Sequence, residues 1–322
     1  MRISRQRLTS EAESTGFRAE VLEKVIHLLG LLDGLQTHPY LKGKLALKGG
    51  TALNLFFFNL PRLSVDIDLN YIGAVEREKM LSERPKVEQA IQAVCAREGF
   101  AVRRVPDQHA GGKWSLRYES SLGQGANLEL DVNFMFRIPL WPVTSMDSHQ
   151  VGSYRVEDIQ VLDLHELAAG KLAALLARYQ ARDLFDAHQL LYQSRLRREQ
   201  LRLAFVVYGA MNRKDWRTVS AEDLDFEEGE LERQLLPLLR VDSLRDEKQP
   251  GEYGRRLVEK CREALEVVLP LSGSEMEFLD RLLDEGEIQP SLLTSDKGLQ
   301  KRINRHPLLE WKALNVRQYK KK

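Results

Sequence analysis

One short segment, residues 45–70, constrains this chain most, because it combines an apolar run, a glycine pair and two aspartates. Its first three residues are apolar and predict a short buried strand. After Lys48 come Gly49, Gly50 and Thr51, and the mainly apolar residues 52–58 then predict a helix. Glycine lets the backbone approach an anion closely, and the first N–H groups of a helix point towards it. The order of strand, glycine pair and helix therefore predicts a cradle for a phosphate group.

Two aspartates lie near the end of the same segment. In an extended strand, residues two apart point to the same face, so Asp66 and Asp68 project together and Ile67 packs on the other side. Two carboxylates at one point repel each other unless a cation lies between them. Mg²⁺ held by one or two carboxylates and by substrate phosphates is the usual solution, and Mn²⁺ is an alternative. Alone, each motif is typical of a plain turn or of a solvated strand edge; their proximity favours a nucleotide and metal site.

A third polar group lies on the clearest strand of the sequence. The apolar residues 128, 130, 132, 134 and 136 alternate with the polar residues 129, 131 and 133. This alternation predicts a half-buried strand that has Glu129, Asp131 and Asn133 on one face. Taken alone, such a polar face is equally typical of a strand that is open to solvent.

The residues of the two motifs resemble those of a known protein family. The letters K-G-G-T-A-L occupy residues 48–53, and R-x-S-x-D-I-D occupies residues 62–68. This combination resembles the AbiEii/AbiGii-type toxin nucleotidyltransferases, which are the toxin halves of bacterial type IV toxin–antitoxin and phage-defence pairs. The resemblance implies an α/β (α+β) fold, in which a mixed nucleotidyltransferase-type sheet is flanked by helices and followed by a mainly helical C-terminal region. It also implies that six residues bind the nucleotide: Lys48, Gly49, Gly50, Thr51, Arg62 and Ser64.

The resemblance also bears on the metal. Enzymes of the nucleotidyltransferase superfamily commonly use a third carboxylate on a neighbouring strand. Asp131 is therefore the candidate third ligand beside the catalytic pair Asp66 and Asp68, and Glu129 is the alternative. With three carboxylates, one or two Mg²⁺ ions can bridge the nucleotide phosphates and the attacking hydroxyl. In-line phosphoryl transfer then needs mainly positioning and charge neutralisation.

A helix is predicted to begin after Asp163. Asp163 can cap this helix, with Glu166 three residues on as in a capping box. Lys171 and Arg178 lie seven residues apart and are therefore close together around the helix. A Lys–Arg pair that faces a phosphate site would neutralise a triphosphate. Spacing alone, however, favours ordinary surface ion pairs.

The segment R-D-x-x-D follows at residues 182–186, near the end of this helix. In the AbiEii-like toxins, a lysine on the helix and an aspartate of the following R-D-x-x-D segment count among the motif residues. The resemblance thus assigns catalytic roles to Lys171 and to Asp183 or Asp186. Which of the two aspartates acts stays open.

The expected organisation is two domains. Residues 1–162 would form the catalytic domain, with an N-terminal helix over residues 15–35 that is capped by its first residue. Residues 163–322 would form a mainly helical domain that completes the active site. Gly111 and Gly112 are expected to form a turn between two short strands of the first domain.

Bulk charge gives no argument for or against nucleic acid, since the 322 residues include 48 Lys and Arg against 47 Asp and Glu. The C-terminal segment is locally basic and contains Trp311 and Tyr319; cations mixed with aromatic residues suit RNA. The sequence shows neither an apolar leader nor the roughly 20 apolar residues needed to span a bilayer. Together with only two cysteines, this predicts a cytoplasmic protein without membrane partners.

These observations predict a Mg²⁺-dependent nucleotidyltransferase that moves NMP from an NTP to a hydroxyl group. The resemblance implies that the enzyme is a toxin and that its acceptor is RNA. The resemblance implies the 3′ end of tRNA as the acceptor, a block of translation and growth as the effect, and an antitoxin encoded by an adjacent gene as the partner. Two alternatives stay open. The chain could nucleotidylate a protein or a small molecule, or it could be a non-catalytic module that only binds nucleotide or antitoxin.

Overall fold

A computed structural model describes residues 3–104, 110–242 and 249–319. The chain divides into two compact units by its internal packing. The first unit comprises Met1–Arg137, Val143–Leu162 and Leu236–Lys248, and the second comprises Ile138–Pro142, Asp163–Leu235 and Gln249–Lys322. The main boundary follows Leu162, but a short segment on each side of it belongs to the other unit.

The first unit is built on one mixed sheet. Its described helices are α1 (Arg5–Thr15), α2 (Ala19–Thr37), α3 (Gly49–Ala52) and α4 (Arg77–Arg97). Its described strands are β1 (Leu45–Lys48), β2 (Asp66–Tyr71), β3 (Ala101–Arg104), β4 (Gly111–Glu119), β5 (Gly125–Asn133), β6 (Thr144–Met146) and β7 (Ile159–Val161). The strand order is β3-β4-β5-β2-β1-β7-β6, in which β2–β5 and β1–β7 are parallel and the other neighbours antiparallel. The predicted mixed sheet with flanking helices is confirmed.

One face of this sheet forms the core of the unit. Side chains alternate along each strand, and Ile67, Leu69 and Leu130 are all buried on this face. Helix α2 packs against it, since Leu32 lines the same small cavity as Leu47 and Leu69. The polar residues of β2 and β5 therefore lie on the opposite face.

The predicted N-terminal boundary was wrong. Thr15 does not cap a helix over residues 15–35, because it is the last residue of α1. Gly16 adopts a left-handed φ of 73°, and its N–H donates to the carbonyl oxygen of Ala12, which closes α1. The next helix, α2, begins only at Ala19.

The predicted turn at Gly111 and Gly112 was also wrong. Both residues belong to β4 and pair with Asn133 and Val132 of β5. Gly111 has a φ of +104°, and a Cβ atom there would lie 1.9 Å from the carbonyl oxygen of Val132. The glycine thus allows close pairing of two strands. Strand β5 ends earlier than predicted, since the Asn133 side-chain oxygen accepts the N–H of Met135 at 2.8 Å and turns the chain.

The second unit is helical in the part that the structure describes. Its helices are α5 (Leu164–Arg178), α6 (Ala181–Gln193), α7 (Arg198–Ala210), α8 (Glu228–Glu230), α9 (Pro250–Ala264), α10 (Gly273–Asp280), α11 (Lys297–Asn304) and α12 (Pro307–Tyr319). This confirms the mainly helical C-terminal region. Over the described ranges, neither unit has a helix that is long and apolar enough to cross a bilayer.

The start of α5 is only partly as predicted. Asp163 caps the helix, since its carboxylate accepts the N–H of His165 at 2.8 Å. Glu166 does not complete a capping box. Its buried carboxylate instead accepts the N–H of Trp141 at 3.1 Å and the hydroxyl of Tyr208 at 3.0 Å. Glu166 therefore ties α5 to residues 138–142 and to α7.

Glu166 predicts a pH dependence of stability. Burial raises its pKa from 4.5 to about 7, against the opposing effect of its hydrogen bonds. The folded protein therefore holds a proton that the unfolded chain releases between about pH 4.5 and 7, so the free energy of unfolding falls as pH rises through this window. At about 1.4 kcal/mol per pKa unit, we expect Glu166 to contribute a fall of about 3 kcal/mol. Denaturant titrations at several pH values measure it.

Glu166→Gln keeps the shape of the side chain and removes the titration. We expect its stability profile to be flatter than that of the wild type between about pH 4.5 and 7. Glu310→Gln, at an exposed position on α12, is the matched control and should leave the wild-type profile unchanged. Parallel profiles for wild type and Glu166→Gln would contradict the prediction.

Candidate active site

The glycine pair forms the corner between β1 and α3. Gly49 and Gly50 are the first residues of α3, and a π-helical turn over Leu53–Phe57 continues it. Gly49 has a φ of +74°, which side chains other than glycine rarely adopt. The first N–H groups of a helix have no partner within the helix. The predicted order of strand, glycine pair and helix is thus confirmed.

Asp68 lies directly against this corner. It pairs with Lys48 across the antiparallel strands β1 and β2. A Cβ atom on Gly49 would lie 2.4 Å from Oδ2 of Asp68, so a side chain at Gly49 would displace the carboxylate. Thr51 ties α3 to the same strand, because its hydroxyl donates to the backbone carbonyl oxygen of Asp66. The glycine corner and the aspartate pair therefore form one structural element.

Two rows of polar residues cross the sheet on this face. Residues that are direct partners on neighbouring strands share a face, and the strands lie about 4.8 Å apart. The first row consists of Lys48 on β1, Asp68 on β2, Asp131 on β5 and Lys113 on β4. In the second row, Asp66 lies opposite Glu129. The two rows thus carry four carboxylates and two lysines, and we call these six residues the carboxylate face.

The charges on the carboxylate face influence one another. Burial raises the pKa of Asp131, and the charges of Asp68 and Glu129 act in the same direction. The hydrogen bond from Lys113 to Glu129, at 2.7 Å, is the main cause that raises the pKa of Lys113. The charges of Asp66 and Asp68 add to this effect. The face therefore attracts cations.

The donor chemistry of the carboxylate face fits Mg²⁺. Mg²⁺ is usually held by one or two carboxylates together with substrate phosphates, and not by a cage of protein ligands. Asp66 and Asp68 supply two half-exposed carboxylates on one face of β2. In the ranges that the structure describes, no three Asp, Glu, His or Cys side chains are grouped so that they could hold a metal ion alone. The register places Asp131 opposite Asp68 and Glu129 opposite Asp66, which leaves both as candidates for the third ligand.

Arg62 and Ser64 are buried just before β2. The guanidinium of Arg62 donates to the carbonyl oxygen of Leu63 at 2.8 Å. The backbone of Arg62 pairs with Leu239, and the N–H of Leu63 donates to the carbonyl oxygen of Leu238 at 2.9 Å. These contacts fix the segment that leads into Asp66. They give Arg62 a structural role, and the nucleotide-binding roles of Arg62 and Ser64 stay predictions.

A second charged cluster lies in the helical unit. The Nζ atom of Lys171 is 2.8 Å from Oδ1 of Asp183 and 3.0 Å from Oδ2 of Asp186. Arg178 donates through Nε to Oδ2 of Asp183 at 2.8 Å. Helix α5 ends at Arg178, and Tyr179 turns the chain with a φ of 53°. The R-D-x-x-D segment therefore lies within α6, and not after the end of one long helix.

Burial distinguishes this cluster from surface ion pairs. The side chains of Asp183 and Asp186 are at most 2% exposed, whereas that of Arg178 is 54% exposed. Burial raises the pKa of Asp183, but Lys171 and Arg178 outweigh this effect and hold the pKa below its usual value. Lys171 contacts both aspartates, so the geometry does not single out one of them. Their catalytic roles stay predictions.

The sequence interpretation missed Lys113. The glycine pair before it predicts a turn, which removed Lys113 from the expected sheet. The alternation of Trp114, Leu116 and Tyr118, all buried, was the available signal. It places Lys113 with Ser115 on the opposite, polar face.

The basic C-terminal segment forms α11 and α12. Lys312 is half-buried and donates to the carbonyl oxygens of Ala210 at 2.7 Å and Asn212 at 2.6 Å, at the end of α7. Trp311 and Tyr319 are exposed. Lys312 therefore has a structural role, whereas the aromatic side chains remain accessible. Residues 320–322 of this segment lie outside the described residues.

Comparisons with known proteins agree with this architecture. No curated protein gives a significant match. Among solved structures, MenT4, a nucleotidyltransferase toxin from Mycobacterium tuberculosis H37Rv, is similar over 98% of this chain and 99% of its own, with a TM-score of 0.61 and 17% identity. At this identity the likeness shows a shared fold. A family model described as "Nucleotidyl transferase AbiEii toxin, Type IV TA system" matches residues 31–266, which is well over half of the chain. The chain therefore belongs to the AbiEii family of nucleotidyltransferase toxins from type IV toxin–antitoxin systems.

Proposed function

We propose that this toxin transfers NMP from an NTP to the 3′ end of tRNA in a Mg²⁺-dependent reaction, with Mn²⁺ as an alternative metal. The arrangement around Gly49 carries the proposal. The carboxylate of Asp68 lies against the helix corner, and Asp66 shares its face. A metal-bound triphosphate needs carboxylates for the metal and N–H groups for the phosphates at one point. Blocking the 3′ end of tRNA would stop translation and growth.

The reaction exchanges a phosphoanhydride bond for a phosphodiester bond. The acceptor hydroxyl releases its proton to solvent and its oxygen bonds to the α-phosphorus, while the bond from the α-phosphorus to the α,β-bridging oxygen breaks and pyrophosphate leaves. Asp66 and Asp68 would hold the metal, with Asp131 or Glu129 as the third carboxylate. Bound Mg²⁺ supplies neutralisation of the phosphate charge. Lys48 and the N–H groups of Gly50 and Thr51 would bind and orient the phosphates.

The family and the surface support the proposed acceptor and partner. Membership of a type IV toxin family implies an NTP substrate and an antitoxin partner. The exposed Trp311 and Tyr319 of α12 support an RNA acceptor, because aromatic side chains stack on unpaired bases. We place the reaction in the cytoplasm, where NTP and tRNA occur together, and expect the antitoxin gene to be adjacent.

Incubation with total RNA, Mg²⁺ and each labelled NTP in turn tests the proposal. We expect label in a tRNA-sized band with one NTP, and loss of that label after removal of the terminal nucleotide. Label that enters protein or a small molecule would contradict the RNA acceptor. Absence of transfer with every NTP would contradict the enzyme.

Asp66→Asn and Asp68→Asn should each abolish transfer while the protein still unfolds cooperatively. Each change removes a carboxylate from the metal site and also relieves repulsion in the metal-free protein. The stability of the metal-free variants should therefore equal or slightly exceed that of the wild type. Asp33→Asn, at an exposed position on α2, is the control and should retain activity. Wild-type transfer by either variant would contradict the proposal that Asp66 and Asp68 hold the metal.

Gly49→Ala should abolish transfer at a modest loss of stability. A positive φ costs a non-glycine residue about 1–2 kcal/mol, and the added Cβ would also displace the carboxylate of Asp68. Gly43→Ala is a matched control, because Gly43 has a φ of +73° and no atom within 4 Å of the added Cβ. Both variants should lose similar stability by thermal unfolding, but only Gly49→Ala should lose transfer. Equal transfer rates would show that the approach of Asp68 to Gly49 has no role.

Lys171→Ala should lower transfer by about two to three orders of magnitude, the scale for removal of one stabilising charge. It also removes the ammonium group that contacts two buried carboxylates, which costs about 3–5 kcal/mol. The triple variant Lys171→Met, Asp183→Asn, Asp186→Asn removes the charges together and should regain stability but not transfer. If transfer returns with stability, the cluster is only structural. Growth arrest on expression should follow transfer in both variants.

A further inference from the structure

Lys113 forms a charged bridge on the carboxylate face. Its ammonium donates to Oε2 of Glu129 at 2.7 Å, and both side chains are about half exposed. Lys113 also lies directly opposite Asp131, and its charge interacts with those of Asp66 and Asp68. One ammonium group therefore acts on all four carboxylates of the face.

The charges on this face do not balance. Four carboxylates and two lysines leave two negative charges, which one divalent cation would neutralise. Lys113 already engages Glu129 through a hydrogen bond. Asp131 lies between Asp68 and Lys113 in the first row, next to the aspartate that contacts the glycine corner.

We infer that Lys113 shifts the preference of the carboxylate face from the free metal ion towards a metal–NTP complex, and that Glu129 holds Lys113 in place. The inference rests on the proposed function. A free divalent ion is positive and is repelled by Lys113. A metal–NTP complex carries net negative charge and is attracted by it. Lys113 is thus a specificity-determining residue that couples metal loading to nucleotide binding.

Mn²⁺ binding measured by electron paramagnetic resonance tests this inference without turnover. The full chain is titrated with Mn²⁺ alone and with Mn²⁺ in the presence of the α,β-methylene analogues of the four NTPs. Lys113→Met should tighten binding of free Mn²⁺ by about tenfold, the scale of one charge acting on a divalent ion several Å away in water. It should weaken binding of the Mn²⁺–analogue complex. The preference for the complex should fall by more than about tenfold.

Arg117→Met is the matched control. Arg117 lies on β4 four residues after Lys113, on the same side of the sheet but outside the two rows, and pairs with Asn127. The variant loses the same charge farther from the carboxylates and should change both affinities by less than about threefold, because the interaction weakens with distance and is screened by salt. Lys113→Arg keeps the charge and should retain the preference. Thermal unfolding confirms that each variant is folded.

Two results would overturn the inference. One is an equal effect of Lys113→Met on free Mn²⁺ and on the complex. The other is a larger loss of Mn²⁺ affinity in Glu129→Gln than in Asp131→Asn, which would make Glu129 the ligand. If the wild type binds neither free Mn²⁺ nor the complex, the proposed function fails as well. If it binds both and Lys113→Met keeps the preference, only this inference fails.

Discussion

The close approach of Asp68 to Gly49 is the constraint on which the rest of the site depends. Because a Cβ on Gly49 would lie 2.4 Å from the carboxylate oxygen, no other residue fits there without moving Asp68. This short distance between Asp68 and Gly49 requires that β1, α3 and β2 stay in fixed positions relative to one another. The hydroxyl of Thr51 fixes α3 to β2, and the burial of Ile67 fixes β2 to the core. The apolar face of the sheet thus positions the groups on the polar face.

The carboxylate face places like charges against each other. Asp66 lies opposite Glu129, and Asp68 opposite Asp131, and like charges that are direct partners destabilise a sheet. Lys113 offsets part of this repulsion in the protein without ligand. The remaining negative charge destabilises the sheet, and a sheet with only a structural role would gain nothing from it. A site that must bind a cation together with a phosphate anion needs that charge.

The sequence predicted the local features of this face and not their assembly. Strict alternation predicted that Glu129 and Asp131 share a face, and the register confirms it. Alternation cannot show that β2 and β5 are parallel neighbours, because pairing between distant strands depends on the whole sheet. Lys113 was missed for a related reason. A Gly-Gly pair predicts a turn, but here it lies inside β4, where the absence of side chains allows close contact with Val132.

The burial of the Lys171 cluster depends on tertiary structure and could not be predicted from the sequence. Charged residues on a helix are usually solvated, yet Asp183 and Asp186 are almost fully buried around the ammonium of Lys171. Burying charges costs desolvation energy, so apolar side chains of similar size would stabilise α5 and α6 as well or better. The cluster is therefore poorly explained by stability alone. The half-exposed Arg178 gives the cluster access to solvent. The two buried carboxylates hold the ammonium group of Lys171 in one fixed position between α5 and α6.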